Sequence, residues 1–189
     1  MYKIFKRTAD FLFSVILIII LFPLMVITGL LIKIDSEGPI IFKQRRIGIN
    51  SGEFIIYKFR TMRLGTPEVA KNLLGQNNSM VTNLGKFLRR TSIDEIPQLF
   101  NILRGDMSFI GPRPALYNQY DLIELRKERG VDKIKPGVTG LAQINGREDM
   151  PLEKKVSYDE FYLNNISLFL DIEIIIKTFF ALFSKRGTY

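Results

Sequence analysis

FLFSVILIIILFPLMVITGLLI, residues Phe11–Ile32, is the stretch on which the fold turns. A helix of about 22 residues, rising ~1.5 Å per residue, is long enough to cover the hydrocarbon core of a bilayer. A cleaved signal peptide fits poorly, because the run exceeds an ordinary h-region and no small-residue cleavage site follows it. Pro23 sits in mid-run, where its missing amide and its ring bend or break a helix. Lys3, Lys6 and Arg7 precede the run, and Lys33, Lys43, Arg45 and Arg46 follow it. With positive charge on both flanks, the positive-inside bias selects no orientation. A single crossing, and a helix that bends at Pro23 and returns to the face it left, both fit these letters.

The whole chain has 189 residues, enough for one domain with a packed core and too few for two large ones. It is 47% hydrophobic and 24% charged, a globular rather than a disordered composition. A formal net charge of +8 points to a polyanionic partner: nucleic acid, a phosphorylated substrate or anionic lipid. Cysteine is absent, which excludes disulfides, a thiolate zinc site and a cysteine nucleophile. Histidine is absent too, removing the commonest general base and transition-metal ligand. Chemistry must rest on carboxylates, Lys, Arg, Tyr or hydroxyls, and any metal should be a hard cation on oxygen ligands.

Beyond the apolar run, Ser36-Glu37-Gly38-Pro39 reads as a turn before a short strand at Ile40–Phe42. Asn50-Ser51-Gly52 is a second turn, and Glu53–Phe59 a second strand, together suggesting a small β-hairpin. Residues 65–80 read as a polar loop around a short helix. The spacing predicts helix from Leu84 to Leu103, interrupted at Pro97, and a charged helix from Ala115 to Arg129 stopped by Gly130. Gly105–Pro114 and Pro136–Gly146 read as loops. Leu163–Phe183 is apolar but punctuated by Asp171, Glu173 and Lys177, the pattern of a helix lying in the membrane surface. The expected class is α+β, mainly α.

Four segments could carry chemistry. In Arg89-Arg90-Thr91-Ser92-Ile93-Asp94-Glu95 the two carboxylates would project about 100° apart on a helix, with arginines one turn earlier favouring their ionised form or a phosphorylated ligand. A solvated helix start would carry the same acidic pair. Pro112-Arg113-Pro114 stiffens the backbone on both sides of a guanidinium whose planar fork suits a phosphate, although surface turns also contain such triplets. Tyr57–Arg63 alternates apolar and basic residues, so on a strand Lys58 and Arg60 would share a face and could both meet a diphosphate; an ordinary edge strand alternates likewise. Lys135–Arg147 carries glycines that would let backbone approach a ligand closely, but it is neither a Walker nor a Rossmann fingerprint.

In order, Lys58-Phe59-Arg60-Thr61-Met62, Thr91–Asn101, Gly105-Asp106-Met107-Ser108, Gly111-Pro112-Arg113-Pro114 and Pro136–Gly140 resemble the bacterial sugar transferase family, the monotopic phosphoglycosyl transferases. The resemblance runs from Lys3 to about Phe183, and the chain resembles the family's minimal catalytic form. It implies a re-entrant membrane helix over residues 1–34 and a cytosol-facing catalytic domain over 35–189, on the cytoplasmic face of the bacterial inner membrane. It implies Asp94 as nucleophile and magnesium ligand, with Glu95 as its catalytic partner. Arg113 would lie at the nucleotide-sugar phosphate, with Lys58, Arg60, Arg89 and Arg147 as further substrate-binding residues. The implied cofactor is Mg²⁺. The implied partners are a UDP-sugar donor, undecaprenyl phosphate as acceptor and the lipid of the membrane, without nucleic acid; a homodimer is left open.

The implied chemistry is a two-step transfer of sugar-1-phosphate through a phosphosugar-aspartate, releasing UMP. Acidic Asp159 and Asp171 fall near acidic positions of the family's C-terminal part. The chain departs from the family pattern at Phe22-Pro23, where a Ser-Pro pair is usual, at Leu141 and Leu152, where Trp is frequent, and at Glu148 in place of Asn. Three other readings compete: a basic nucleic-acid-binding protein, which would explain the charge but not the apolar run, a membrane-associated glycosyltransferase that releases UDP, and a non-catalytic membrane scaffold.

Overall fold

A computed structural model describes residues 2–66, 80–146 and 150–183. The chain is mainly helical with two small sheets. It opens with α1 (Tyr2–Asp35), which is helical throughout its 34 residues and carries Pro23 inside it. This helix alone among the described residues is long and apolar enough to cross a membrane. One stripe of it nevertheless packs on protein along its full length. Arg7 donates to the carbonyls of Ile102 (2.6 Å) and Leu103 (2.9 Å), and Asp10 accepts from the Phe109 amide at 3.3 Å. Leu17, Ile18 and Leu21 pack against Ile56, Leu99, Ile102 and Met107. Past the proline, Met25 and Ile32 join Phe59 and Leu88 in another cluster. The opposite side, including Phe5, Leu12, Ile16, Ile20, Ile27 and Ile34, is apolar and exposed. A soluble helix would place polar residues there, so this surface suits lipid rather than water.

Strands β1 (Ile41–Ile47) and β2 (Glu53–Phe59) pair antiparallel from Ile41↔Phe59 to Ile47↔Glu53. Helix α2 (Asn83–Arg90) starts at Thr82, whose hydroxyl accepts from the Gly85 amide at 2.9 Å. It stops at Arg90, well short of Pro97, because Ser92 adopts the left-handed conformation (φ 56°) and turns the chain. Ile93–Glu95 form a single 3₁₀ turn, and α3 (Gln98–Arg104) begins immediately after Pro97. The proline therefore opens a helix instead of interrupting one, since an amide at that position would have had no helical partner.

The expected loops contain structure. β3 (Ser108–Ile110) pairs in parallel with β4 (Gly137–Thr139), and α5 (Leu141–Gly146) follows. Strands of three residues leave no readable alternation, which is why the sequence concealed them. α4 runs only from Tyr120 to Glu128, α6 spans Leu152–Asn164, and the helix of the C-terminal apolar stretch starts later than expected, as α7 (Leu168–Phe183). On α7, Leu170, Asp171 and Ile174 are buried while Phe169, Ile172, Ile176 and Phe180 are exposed, continuing the outward apolar character of α1. Asp171 joins the two helices. It accepts from the hydroxyls of Tyr2 (2.6 Å) and Tyr162 (2.7 Å) and from Lys6 Nζ (2.8 Å). Leu141 lies in the core with Tyr162, Leu170 and Ile174, whereas Leu152 is exposed at the start of α6.

Candidate active site

The acidic pair sits on the 3₁₀ turn between α2 and α3, not on an α-helix, and the turn is anchored from both sides. Gly85 lets α2 lie directly on the Thr61 carbonyl, where a β-carbon would collide with backbone. Asn101 of α3 is fully buried along the free edge of β2; its side-chain oxygen accepts from the Tyr57 amide at 3.0 Å and its amide donates to the Ile55 carbonyl at 2.6 Å. These contacts fix the turn against the strand that carries Lys58.

Lys58 Nζ lies 2.5 Å from Glu95 Oε1, and Arg113 Nη2 approaches the same oxygen at 3.6 Å. Burial alone would raise the Glu95 carboxyl. The charges of Lys58 and Arg113, with hydrogen bonds from Lys58 and Gln98, instead carry it down to about 2. Asp94 is 8% exposed and behaves in the opposite way. Burial pushes its carboxyl up to about 6 against the pull of Lys58, with the Glu95 charge adding to the rise and Arg89 and Arg113 opposing it. The two adjacent carboxyls thus move in opposite directions: ion pairing with Lys58 favours the ionised form of Glu95, and burial disfavours that of Asp94.

Arg113 reaches this pair from a loop whose three carbonyls are all engaged. Pro112 O accepts from the Gly137 amide (2.9 Å), Arg113 O from Arg126 Nη1 (2.8 Å), and Pro114 O from Arg46 Nη1 (3.0 Å). A small cavity beside Glu95 is lined by Arg46, Ile56, Lys58, Gln98, Arg113, Pro114 and Gly137. Arg89 is held by Thr61 Oγ1 (2.9 Å) and contributes charge at Asp94.

Arg60 does not join the cluster. β2 ends at Phe59, and the buried Arg60 guanidinium donates to the carbonyls of Glu37 and Ser36 and to the Ser36 hydroxyl. It holds the turn after α1, so the alternation that put it beside Lys58 fails one residue beyond the strand. Arg147 and Glu148 lie outside the described residues, as does most of the polar loop at 65–80. Asp159 pairs with Arg126 at 2.6 Å, away from the acidic pair, and Asp171 serves the α1–α7 junction. Sequence reasoning missed Arg46, Gln98, Asn101 and Arg126. The first two line the cavity and the last two hold its walls. Gln98 and Asn101 fell within a recognised block, but nothing in a charged helix marks Arg126 as buried.

A family model described as bacterial sugar transferase matches residues 1–185. The chain belongs to the bacterial sugar transferase family. The chain is 38% identical over 195 residues to the UDP-glucose:undecaprenyl-phosphate glucose-1-phosphate transferase of Klebsiella pneumoniae, covering 98% of this chain and 42% of that protein. It is 36% identical over 208 residues to the undecaprenyl-phosphate galactose phosphotransferase of Salmonella typhimurium, covering 99% and 42%. It is 36% identical over 199 residues to the exopolysaccharide production protein ExoY of Rhizobium meliloti, covering 97% and 88%. The chain therefore spans less than half the length of the first two relatives and most of the third.

Proposed function

We propose that this protein transfers sugar-1-phosphate from a UDP-sugar to undecaprenyl phosphate and releases UMP, as the first membrane step in assembling a glycoconjugate or exopolysaccharide. The observation that carries the reading is the coincidence of two features: an Asp94–Glu95 pair, buried at Asp94 and ringed by Lys58, Arg89 and Arg113, and outer helices whose exposed faces are apolar. A cationic site can receive the soluble diphosphate donor, and the apolar helices bring the same site to a lipid acceptor. Relatives named as undecaprenyl-phosphate glucose-1-phosphate and galactose phosphotransferases, which differ in sugar, support the reaction class.

In the first step a carboxylate oxygen of Asp94 attacks the β-phosphorus of the donor. The bond from that phosphorus to the bridging oxygen breaks, UMP leaves with the electron pair, and the sugar phosphate remains on Asp94. In the second, an oxygen of the polyprenol phosphate attacks the same phosphorus and the Asp94 carboxylate departs. The acceptor is already anionic, so no histidine is required to deprotonate it. Arg113 binds the donor diphosphate in the first step, and Lys58 stabilises charge on the phosphoryl oxygens while keeping Glu95 ionised beside the reacting carboxylate.

The cofactor proposed for this site is magnesium. Asp94 is a buried carboxylate next to the ionised Glu95, and no group of three acidic or imidazole ligands occurs among the described residues. Such a site suits a cation held by one or two carboxylates, substrate phosphates and water. Asp94, with Glu95 beside it, would hold the ion, and the ion would neutralise phosphate charge.

The membrane part of the reading is monotopic, with α1 re-entrant from the cytoplasmic face. Its support is that Tyr2 and Lys6 at one end, and Ile32 at the other, pack on the same body. Incubation with a panel of UDP-sugars, Mg²⁺ and undecaprenyl phosphate tests the reaction: UMP release with a lipid-linked product is expected. Release of UDP would identify a glycosyltransferase, and no nucleotide release with any donor would identify a scaffold.

A further inference from the structure

We propose that the Arg126–Asp159 pair, remote from the reacting groups, is the positioning device that aims Arg113 at the donor phosphate. This rests on the donor-binding role proposed above for Arg113. The two proline nitrogens of Pro112-Arg113-Pro114 carry no hydrogen, so the triplet has a single amide with which to brace itself. Its conformation is instead imposed through its carbonyls, by donors from other elements. Gly137 of β4 takes the first, Arg126 of α4 the second and Arg46 of β1 the third. The middle contact is the one made to the main chain of Arg113 itself.

Arg126 is well placed to hold that contact steady. Its Nε and Nη2 both donate to Asp159 Oδ2, at 3.0 and 2.6 Å, leaving Nη1 directed at the Arg113 carbonyl. The two side chains are 10% and 2% exposed. A planar guanidinium pinned at two nitrogens has no torsional freedom left at the third, so the Arg113 main chain inherits the rigidity of the α4–α6 contact. A lysine at position 126 could keep the charge pair with Asp159 but cannot make all three bonds. The side chain of Arg113 is 41% exposed and otherwise free to sweep, so the direction it takes toward Glu95 depends on the main chain beneath it.

The test compares Arg126→Lys and the isosteric Asp159→Asn with the parent enzyme, each alone and combined with Arg113→Ala, in the UDP-sugar and undecaprenyl phosphate assay. Each variant should lower kcat/KM for the UDP-sugar by about tenfold or more while changing kcat/KM for undecaprenyl phosphate by less than about twofold. In the Arg113→Ala background neither should have a further effect on the donor. A variant that merely reduced the folded fraction would lower both values equally and add to Arg113→Ala, and that result would overturn the proposal. If Arg113→Ala lowers donor kcat/KM and Arg126→Lys and Asp159→Asn do not, the positioning role fails while the role of Arg113 stands. If Arg113→Ala itself leaves the donor value unchanged, the donor-binding assignment fails and the positioning role falls with it.

Discussion

Asp94 and Glu95 are neighbours in sequence, yet burial wins at one and ion pairing at the other. The Asp94 carboxyl is raised to about 6 by burial without metal, and a bound cation opposes that rise, so kcat/KM for the donor should fall at acid pH with a midpoint that moves below 6 as Mg²⁺ is increased. A pH–rate profile checks this. The same shift has a stability consequence. Because the folded-state value lies above the ordinary one, the associated stabilisation is complete below about pH 4 and is lost as pH rises through about 6. Asp94→Asn should therefore abolish turnover and the covalent adduct. In metal-free buffer at pH 8 it should also stabilise the fold by up to about 3 kcal/mol, a gain that shrinks toward pH 4 in thermal melts. Arg60 supplies a contrasting prediction. Since its guanidinium holds the Ser36–Glu37 turn, Arg60→Lys should cost about 1–3 kcal/mol of stability and leave kcat/KM per folded molecule nearly unchanged. A selective rise in donor KM would restore its substrate role. Both residues were legible as candidates in the sequence; only the end of β2 at Phe59 separated Lys58 from Arg60.

At the scale of elements, the long-range contacts decide what the local pattern left ambiguous. Helical spacing identified α2 and α3 as helical, but one left-handed serine and the packing of Asn101 on β2 set where they end and where the carboxylates lie. β3 and β4 were invisible because their pairing joins segments almost thirty residues apart, at Ser108↔Gly137. Asp171 fastens α7 to the start of α1 through Tyr2 and Lys6 and to α6 through Tyr162, with its side chain 7% exposed. Replacing it by Asn strands the partly covered Lys6 charge and should cost about 2–3 kcal/mol. In detergent solution this would appear as a lower melting point and faster amide exchange over Tyr2–Asp10. Unchanged exchange there would show that the junction contributes nothing to holding the helix.

The whole molecule couples a cationic site to an apolar exterior, and its lack of cysteine makes the arrangement directly measurable. Lys3 and Glu37 flank α1 and both are exposed. Lys3→Cys and Glu37→Cys should each give a single thiol that reacts with an impermeant maleimide in inside-out membrane vesicles and is protected in right-side-out ones. Opposite sidedness at the two positions would establish a crossing helix and remove the monotopic reading.

By itself the sequence determined that a long apolar helix leads the chain, that catalysis must do without imidazole and thiol, and which ordered blocks place the chain in its family. Those properties reside in composition and short-range order, which periodicity and motif spacing express directly. Tertiary structure alone decided that both ends of α1 pack on one body, that Arg60 serves a turn, and that Arg126 holds the Arg113 carbonyl. Each of those depends on where a side chain meets a distant main chain, and burial and hydrogen-bond direction at such meetings leave no local trace in the sequence.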